Sequence, residues 1–244
     1  MKKKKLSQNF LINNVVANDI VDLLDVNSDD HVIEIGPGDG ALTSFLIDKT
    51  KNFLAIEYDH YYVKVLKKKF NNIKIIQQNI LDYDFSKLNN KIKLIGNLPY
   101  HLSKEILLFV DKNYKYFDKC VFMLQKELVE RIVARPGSAK RSRLTVTMEL
   151  KWDLQLRFNV PSEFFDPQPK VDSAVFEMKP NLKFEGMIKN YEQFDGMLKI
   201  LFSKKRKKIK NSVSEHTKKN FKVDYDKRVE DLTTAELIRL SDYF

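Results

Sequence analysis

Two short stretches carry residue types that could do chemistry. The first is Asn97-Leu98-Pro99-Tyr100. The proline holds Leu98 extended and ends a strand ladder, because Pro99 has no N–H to donate. The Leu98 carbonyl is then free to face a cleft, Asn97 adds a side-chain carbonyl, and Tyr100 adds a flat ring. Two acceptors beside an aromatic face suit a planar group that bears an NH2. The second stretch is EIGPGDG, residues 34–40. The chain has seven glycines, and Gly36, Gly38 and Gly40 fall within five positions. Glycines so concentrated mark a backbone that turns tightly or lets a ligand lie against it. Their spacing is not the G-x-G-x-x-G of dinucleotide sites, and an ordinary tight turn is the plain alternative. Glu57 follows Gly36 by 21 residues. A carboxylate so placed can accept hydrogen bonds from both hydroxyls of a ribose; a solvated strand-end charge is the alternative. Acidic Glu34 and Asp39 disfavour a pyrophosphate. They suit a ligand with a cationic end, such as S-adenosylmethionine, whose sulfonium and ammonium groups are positive.

These residues need elements to hold them. HVIEIG (31–36), NFLAIEY (52–58), IKIIQQ (73–78), KLIGNLPY (93–100) and CVFML (120–124) read as buried strands. Amphipathic helices are expected over 13–25, 41–48, 59–70 and 103–111. This alternation predicts βαβ units and a parallel sheet covered on both faces. After residue 125 the pattern changes: helix over 126–134, a turn at 135–141, helix in preference to strand over 142–151, then strands at 154–160 and 174–179 around an irregular proline-containing loop over 164–173. The two strands would form an antiparallel edge. Beyond Pro180 the composition is helical and amphipathic, with short helices expected around Phe194–Phe202 and over 233–243.

Composition narrows the partners. The 244 residues include 43 Lys and Arg against 33 Asp and Glu, a net charge of +10, so the surface attracts polyanions, nucleic acid first. KKRKKIK (204–210) holds six of the cations: Lys204, Lys205, Arg206, Lys207, Lys208 and Lys210. These are candidate phosphate contacts, as are Lys2 to Lys5; a solvated face is the alternative for each. No apolar run approaches the roughly 18–20 residues that span a bilayer. The single cysteine, Cys120, excludes an internal disulfide framework, and four scattered histidines argue against a metal site. No secretory or transit segment is evident at the start, so a cytoplasmic protein is expected.

The Asn97–Tyr100 loop resembles the Asp/Asn-Pro-Pro-Tyr-type loops of amino-methyltransferases, and in the form N-L-P-Y it resembles the ribosomal-RNA adenine dimethyltransferases. Further stretches are similar to that family: Gln8-Asn9-Phe10-Leu11 to its entry motif, and MLQKELVERIVARPGS (123–138) with Arg143-Leu144-Thr145-Val146 to the region after the loop. Residues 165–174, FDPQPKVDSA, are similar to its F-x-P-x-P-x-V-D-S-A segment. The resemblance runs from about residue 6 to residue 210. It implies an α/β fold, a Rossmann-like class I methyltransferase sheet that is mostly parallel with an antiparallel edge, over 1–182. A small helical domain that contacts RNA is implied over 183–244. It implies transfer of methyl groups from S-adenosylmethionine to N6 of two adjacent adenines near the 3′ end of small-subunit (16S) rRNA, within a pre-ribosomal particle, by a monomer with no metal and no membrane partner. The implied catalytic residues are Asn97, Leu98, Pro99 and Tyr100, with Phe165 sandwiching the target base against Tyr100; a core residue is the alternative for Phe165. The implied cofactor residues are Asn9, Leu11, Gly36, Gly38, Glu57, Asn79 and Asn97.

The sequence departs from the family at His101, where Asn is usual, and at Asn79, where an Asp usually accepts the cofactor adenine's amino group. Asn79 can accept through its carbonyl oxygen, without charge. Three rivals remain in view. The antibiotic-resistance branch, acting on large-subunit (23S) rRNA, more usually has Ser in the glycine loop and N-I-P-Y; here Pro37 and Leu98 stand instead. A non-catalytic nucleic-acid binder, of the mitochondrial transcription factor type, would not need Glu57 and N-L-P-Y intact. A nicotinamide-dependent oxidoreductase would need the missing glycine spacing.

Overall fold

The computed structural model describes residues 9–71, 73–220 and 222–244. The elements in chain order are β1 (Phe10–Leu11), α1 (Asn14–Leu24), β2 (His31–Ile35), α2 (Thr43–Leu46), β3 (Asn52–Glu57), α3 (His60–Lys69), β4 (Ile75–Gln77), β5 (Ile92–Asn97), α4 (Ser103–Lys112), β6 (Phe117–Gln125), α5 (Lys126–Ile132), α6 (Arg143–Glu149), β7 (Trp152–Val160), β8 (Phe165–Asp166), β9 (Ser173–Pro180), α7 (Tyr191–Ser203), α8 (Glu215–Asn220) and α9 (Thr234–Ser241). Seven strands form one sheet in the order β4-β3-β2-β5-β6-β9-β7. The pairs from β4 to β6 are parallel, and β9 runs antiparallel to β6.

The parallel strands are apolar on both faces because both are covered. Val32, Ala55, Ile95, Val121 and Val175 join Ile20, Val21 and Leu24 of α1 in one core. Helix α1 starts where Asn13 caps the Val16 N–H at 3.0 Å, and ends at Asp25 in the left-handed region. The strand order turns between β2 and β5. From β2 the chain builds outward to β3 and β4, then returns to start β5 on the other side. Crevices at the carboxyl ends of strands flanking such a turning point are where ligands bind in open α/β sheets. The carboxyl ends here carry Gly36 and Asn97.

Most expected elements form, with shifted ends. The helix expected over 41–48 contracts to Thr43–Leu46. Its first turn is tightened by the Gly40 carbonyl, which accepts from the Ser44 N–H and hydroxyl, and by a Phe45 N–H to Leu42 carbonyl bond. The loop after Pro161 is not wholly irregular, since β8 pairs antiparallel with β1.

The chain divides into two units. The first runs to Val129 and resumes over Gln155–Pro180; the second comprises Glu130–Leu154 and Asn181–Phe244. The chain therefore crosses between units at three places, where the sequence suggested one cut after residue 182. Residues 130–154 join the second unit for a packing reason. Val146 and Leu150 lie in a core with Phe194, Met197, Leu198, Leu237 and Leu240. Fully buried Arg141 makes a two-pronged bond to Glu149 at 2.8 and 2.7 Å and donates to the Thr234 hydroxyl at 3.0 Å.

Candidate active site

The loop after β2 turns through three left-handed glycines, with φ of 60° at Gly36, 57° at Gly38 and 87° at Gly40. They are not equivalent. A Cβ on Gly38 would meet the Phe10 ring at 2.8 Å, and one on Gly40 would meet Phe70 at 2.6 Å. A Cβ on Gly36 would meet nothing within 4 Å. Gly40 and Gly38 thus let side chains pack, whereas Gly36 borders open cleft.

Glu57 ends β3 and is 3% exposed. Its Oε2 accepts the Gly38 N–H at 3.1 Å and its Oε1 the Asp59 N–H at 2.8 Å. The carboxylate therefore holds the glycine loop in place while facing the cleft. Burial raises its pKa, opposed by those backbone donors. Glu34 accepts the Thr43 hydroxyl at 2.6 Å. Burial, with the nearby charges of Glu57 and Asp39, pushes its pKa up to about 8. This corrects the reading of Glu34 as a fixed negative charge toward a cation: at neutral pH it holds a proton, because the surroundings exclude water and already contain two acids.

The Asn97–Tyr100 loop follows β5. Asn97 Nδ2 donates to the Asn9 carbonyl at 3.2 Å, which leaves its Oδ1 as the acceptor with no partner among the described residues. The Leu98 N–H donates to the Met123 carbonyl at 3.1 Å, and the Pro99 carbonyl accepts from the Leu102 N–H and the Ser103 hydroxyl. The Tyr100 hydroxyl lies 2.6 Å from the Ser173 Oγ. Burial raises the pKa of that phenol, opposed by the Ser173 hydrogen bond. The pairing of β1 with β8 brings Asn9 and Leu11 to the same place from 86 or more residues away.

One cleft of about 300 Å³ is lined by Asn9, Leu11, Gly36, Gly38, Glu57, Asn79 and Asn97 through Tyr100. A volume of that order suits a small ligand with polar anchors at its ends. Two expected residues differ. Phe165 does not line the cleft: it is 3% exposed and sits in the core with Leu11, its partner in the β1–β8 pair. In this structure Tyr100 has no Phe165 ring opposite it, because the strand pairing turns that ring inward. Asn79 lines the cleft, but its Oδ1 caps the Leu81 N–H at 3.1 Å. One lone pair of the expected acceptor is thus already used, and the other end of the amide is a donor. Sequence reasoning missed Phe10, whose ring packs tilted by 44° against Tyr62 with centroids 5.1 Å apart, and Ser173. Both lie inside the family-like motifs, but only the fold shows their contacts.

In the second unit the basic run leaves α7 through a turn, a bridge from Lys208 to Arg228 and a single 3-10 turn at Ile209–Asn211, not as one helical face. Lys205 donates to the Ala139 and Arg141 carbonyls, both at 2.6 Å. Lys208 and Lys210 bond the Asp226 carboxylate at 2.9 and 2.7 Å, holding its pKa down to about 2. These three cations are engaged within the unit. Lys204, Arg206 and Lys207 are exposed, with no ion-pair partner among the described residues. The Lys2–Lys5 arm and Gln8 lie outside the described residues. Among the described residues no cluster of His, Cys, Asp or Glu could hold a metal ion, and no helix is long and apolar enough to cross a membrane.

Sheet order, glycine loop, strand-end acid and N-L-P-Y loop together define a Rossmann-like methyltransferase fold, with the last three bordering one cleft. All 244 residues match the family described as ribosomal RNA adenine dimethylase, and the chain belongs to it. It is 38% identical, over 99% of its length and 97% of the relative's, to ribosomal RNA small subunit methyltransferase A of Francisella tularensis subsp. novicida. Among solved structures it resembles a dimethyladenosine transferase from Plasmodium falciparum, with TM-score 0.79, 25% identity and 95% of each chain covered. It also shares its fold with the 23S rRNA methyltransferase ErmE, with TM-score 0.74 and 22% identity over 96% of this chain and 99% of that one.

Proposed function

We propose that the chain transfers methyl groups from S-adenosylmethionine to N6 of two adjacent adenines near the 3′ end of small-subunit rRNA, within a pre-ribosomal particle. The observation that carries the reading is the Asn97 side chain. One N–H of its amide bonds the Asn9 carbonyl and orients the group, and its oxygen is the acceptor available to an incoming amino group. The Francisella relative supports the choice of small-subunit rRNA.

The cleft residues fit the cofactor. Gly36 leaves room against the backbone, buried Glu57 is an acceptor for ribose hydroxyls, and Asn9, Leu11 and Asn79 border the same space. S-adenosylmethionine, when bound, supplies a methyl group on a positive sulfur. The protein supplies position and polarity. The adenine amino nitrogen is a poor nucleophile, since its lone pair is delocalised into the ring. Asn97 Oδ1 and the Leu98 carbonyl would accept its two N–H bonds and favour the pyramidal nitrogen that attacks. That contact strengthens as positive charge grows on nitrogen. No general base is required before attack, because the alkylated nitrogen becomes strongly acidic. The target base must leave its stack to reach the cleft, and Tyr100 offers a ring on which it can stack, worth about 1–3 kcal/mol. Lys204, Arg206 and Lys207 would meet phosphates, which adds affinity without reading sequence.

The test is to incubate the protein with tritiated S-adenosylmethionine and under-methylated small subunits, then map the label. Label on two adjacent adenines near the 3′ end is the expected result. Label on large-subunit rRNA, or none with any rRNA, would overturn the reading.

A further inference from the structure

Tyr100 stands at the cleft with a half-buried ring, and its hydroxyl reaches Ser173 Oγ at 2.6 Å. Ser173 is fully buried at the first position of β9 and does not line the cleft. The chain around it is fixed from several sides. Ser173 pairs in register with Gln125 at the end of β6. The preceding residue, Asp172, accepts the Ser162 N–H on its carboxylate at 3.1 Å and the Lys126 N–H on its carbonyl at 3.0 Å. Ser173 is therefore a rigid point of the sheet. The Asn97–Tyr100 loop is tied to the same end of β6 through the Leu98 N–H and the Met123 carbonyl. A tyrosine ring at a cleft has more than one staggered well about its first torsion. A bond at the far end of the ring selects one of them, because turning that torsion carries the hydroxyl away from its partner. Leaving a buried hydroxyl unpaired carries a desolvation cost.

We propose that Ser173 is a positioning residue, whose hydroxyl holds the Tyr100 ring at the angle needed to stack on the base entering the cleft. This rests on the role of Tyr100 in the proposed function. Ser173 then acts through Tyr100 alone and leaves the cofactor contacts untouched. Ser173→Ala and Tyr100→Phe remove the same bond from opposite sides.

The experiment compares these two variants and their combination with the parent protein. Each single variant should lower kcat on small subunits by about two- to tenfold, the effect of one neutral hydrogen bond. The double variant should be no slower than the slower single one. Affinity for S-adenosylhomocysteine should stay at the parent value. Full kcat in either single variant, or multiplying losses in the double, would overturn the proposal. If Ser173→Ala proves unstable in a thermal melt, Tyr100→Phe decides, since it leaves the buried serine in place. A second readout does not depend on turnover: NMR of ring-labelled tyrosine in the protein without RNA. The Tyr100 signal should shift and its ring flips quicken in Ser173→Ala. An unchanged signal refutes the positioning role even if the parent methylates rRNA. A parent that methylates no rRNA refutes the function instead, while the NMR comparison still decides whether Ser173 holds the ring.

Discussion

Replacing Gly36 by alanine separates the cost of a backbone turn from the cost of blocking a ligand. Gly36 has φ of 60°, so alanine there carries the left-handed penalty of about 1–2 kcal/mol. It adds no steric clash, because the new Cβ meets no atom within 4 Å. For a chain of this size that predicts a fall in Tm of about 2–8 °C. The methyl group instead projects into the space against which the cofactor is proposed to lie. Overpacking a fitted contact costs about 1–3 kcal/mol, so Kd for S-adenosylhomocysteine should rise by roughly 5- to 150-fold. Calorimetric titration and a thermal melt measure the two effects separately. Gly186→Ala is the control: φ is 72°, nothing lies within 4 Å, and the site is outside the cleft. It should lose similar stability and no affinity. If Gly36→Ala loses the expected stability yet keeps the parent Kd, the ligand does not lie against this backbone and the reasoning fails.

Glu57→Ala removes a charged acceptor that also holds the Gly38 and Asp59 N–H groups; cofactor binding should weaken by about 2–4 kcal/mol, and an unchanged titration would sink the ribose assignment. Asn97→Ala should lower single-turnover methylation at least about 100-fold with a smaller loss of cofactor affinity; parent-rate turnover would reduce the loop to a turn. Replacing Lys204, Arg206 and Lys207 by glutamine should weaken subunit binding. It should also lower the slope of log K against log[salt] by roughly 0.7–0.9 for each phosphate that is no longer neutralised. Replacing Lys205, Lys208 and Lys210 should act on stability more, since these are engaged internally. The proton on Glu34 gives a pH prediction. Its folded pKa, about 8, lies above the ordinary 4.5, so the associated stability is complete below 4.5 and is lost progressively as pH rises from there to about 8. The slope from this group should be at most about 1.4 kcal/mol per pH unit. Denaturant melts of Glu34→Gln across that range should be flatter than those of the parent.

The alternation of strands and helices, the glycine turn, the acid at the end of β3 and the N-L-P-Y loop after β5 were all legible in the sequence. These features are local: periodicity, proline and glycine act within a few residues, and a strand end fixes where its loop begins. The crowding of cations at residues 204–210 was equally plain. Their roles came from the folded chain, because pairing depends on residues far along the sequence. Asp226 takes Lys208 and Lys210, two carbonyls near residue 140 take Lys205, and three cations of the run have no ion pair among the described residues. The same reason underlies the other differences. Phe165 in a proline-rich loop looks available for stacking until the β1–β8 pair turns it into the core. Residues 130–154 read as part of the first domain until Arg141, Glu149 and Thr234 tie them to the second. Glu34 looks like a charge until burial beside two other acids gives it a proton. Burial and long-range partners are set by the fold as a whole, and no short stretch of sequence carries them.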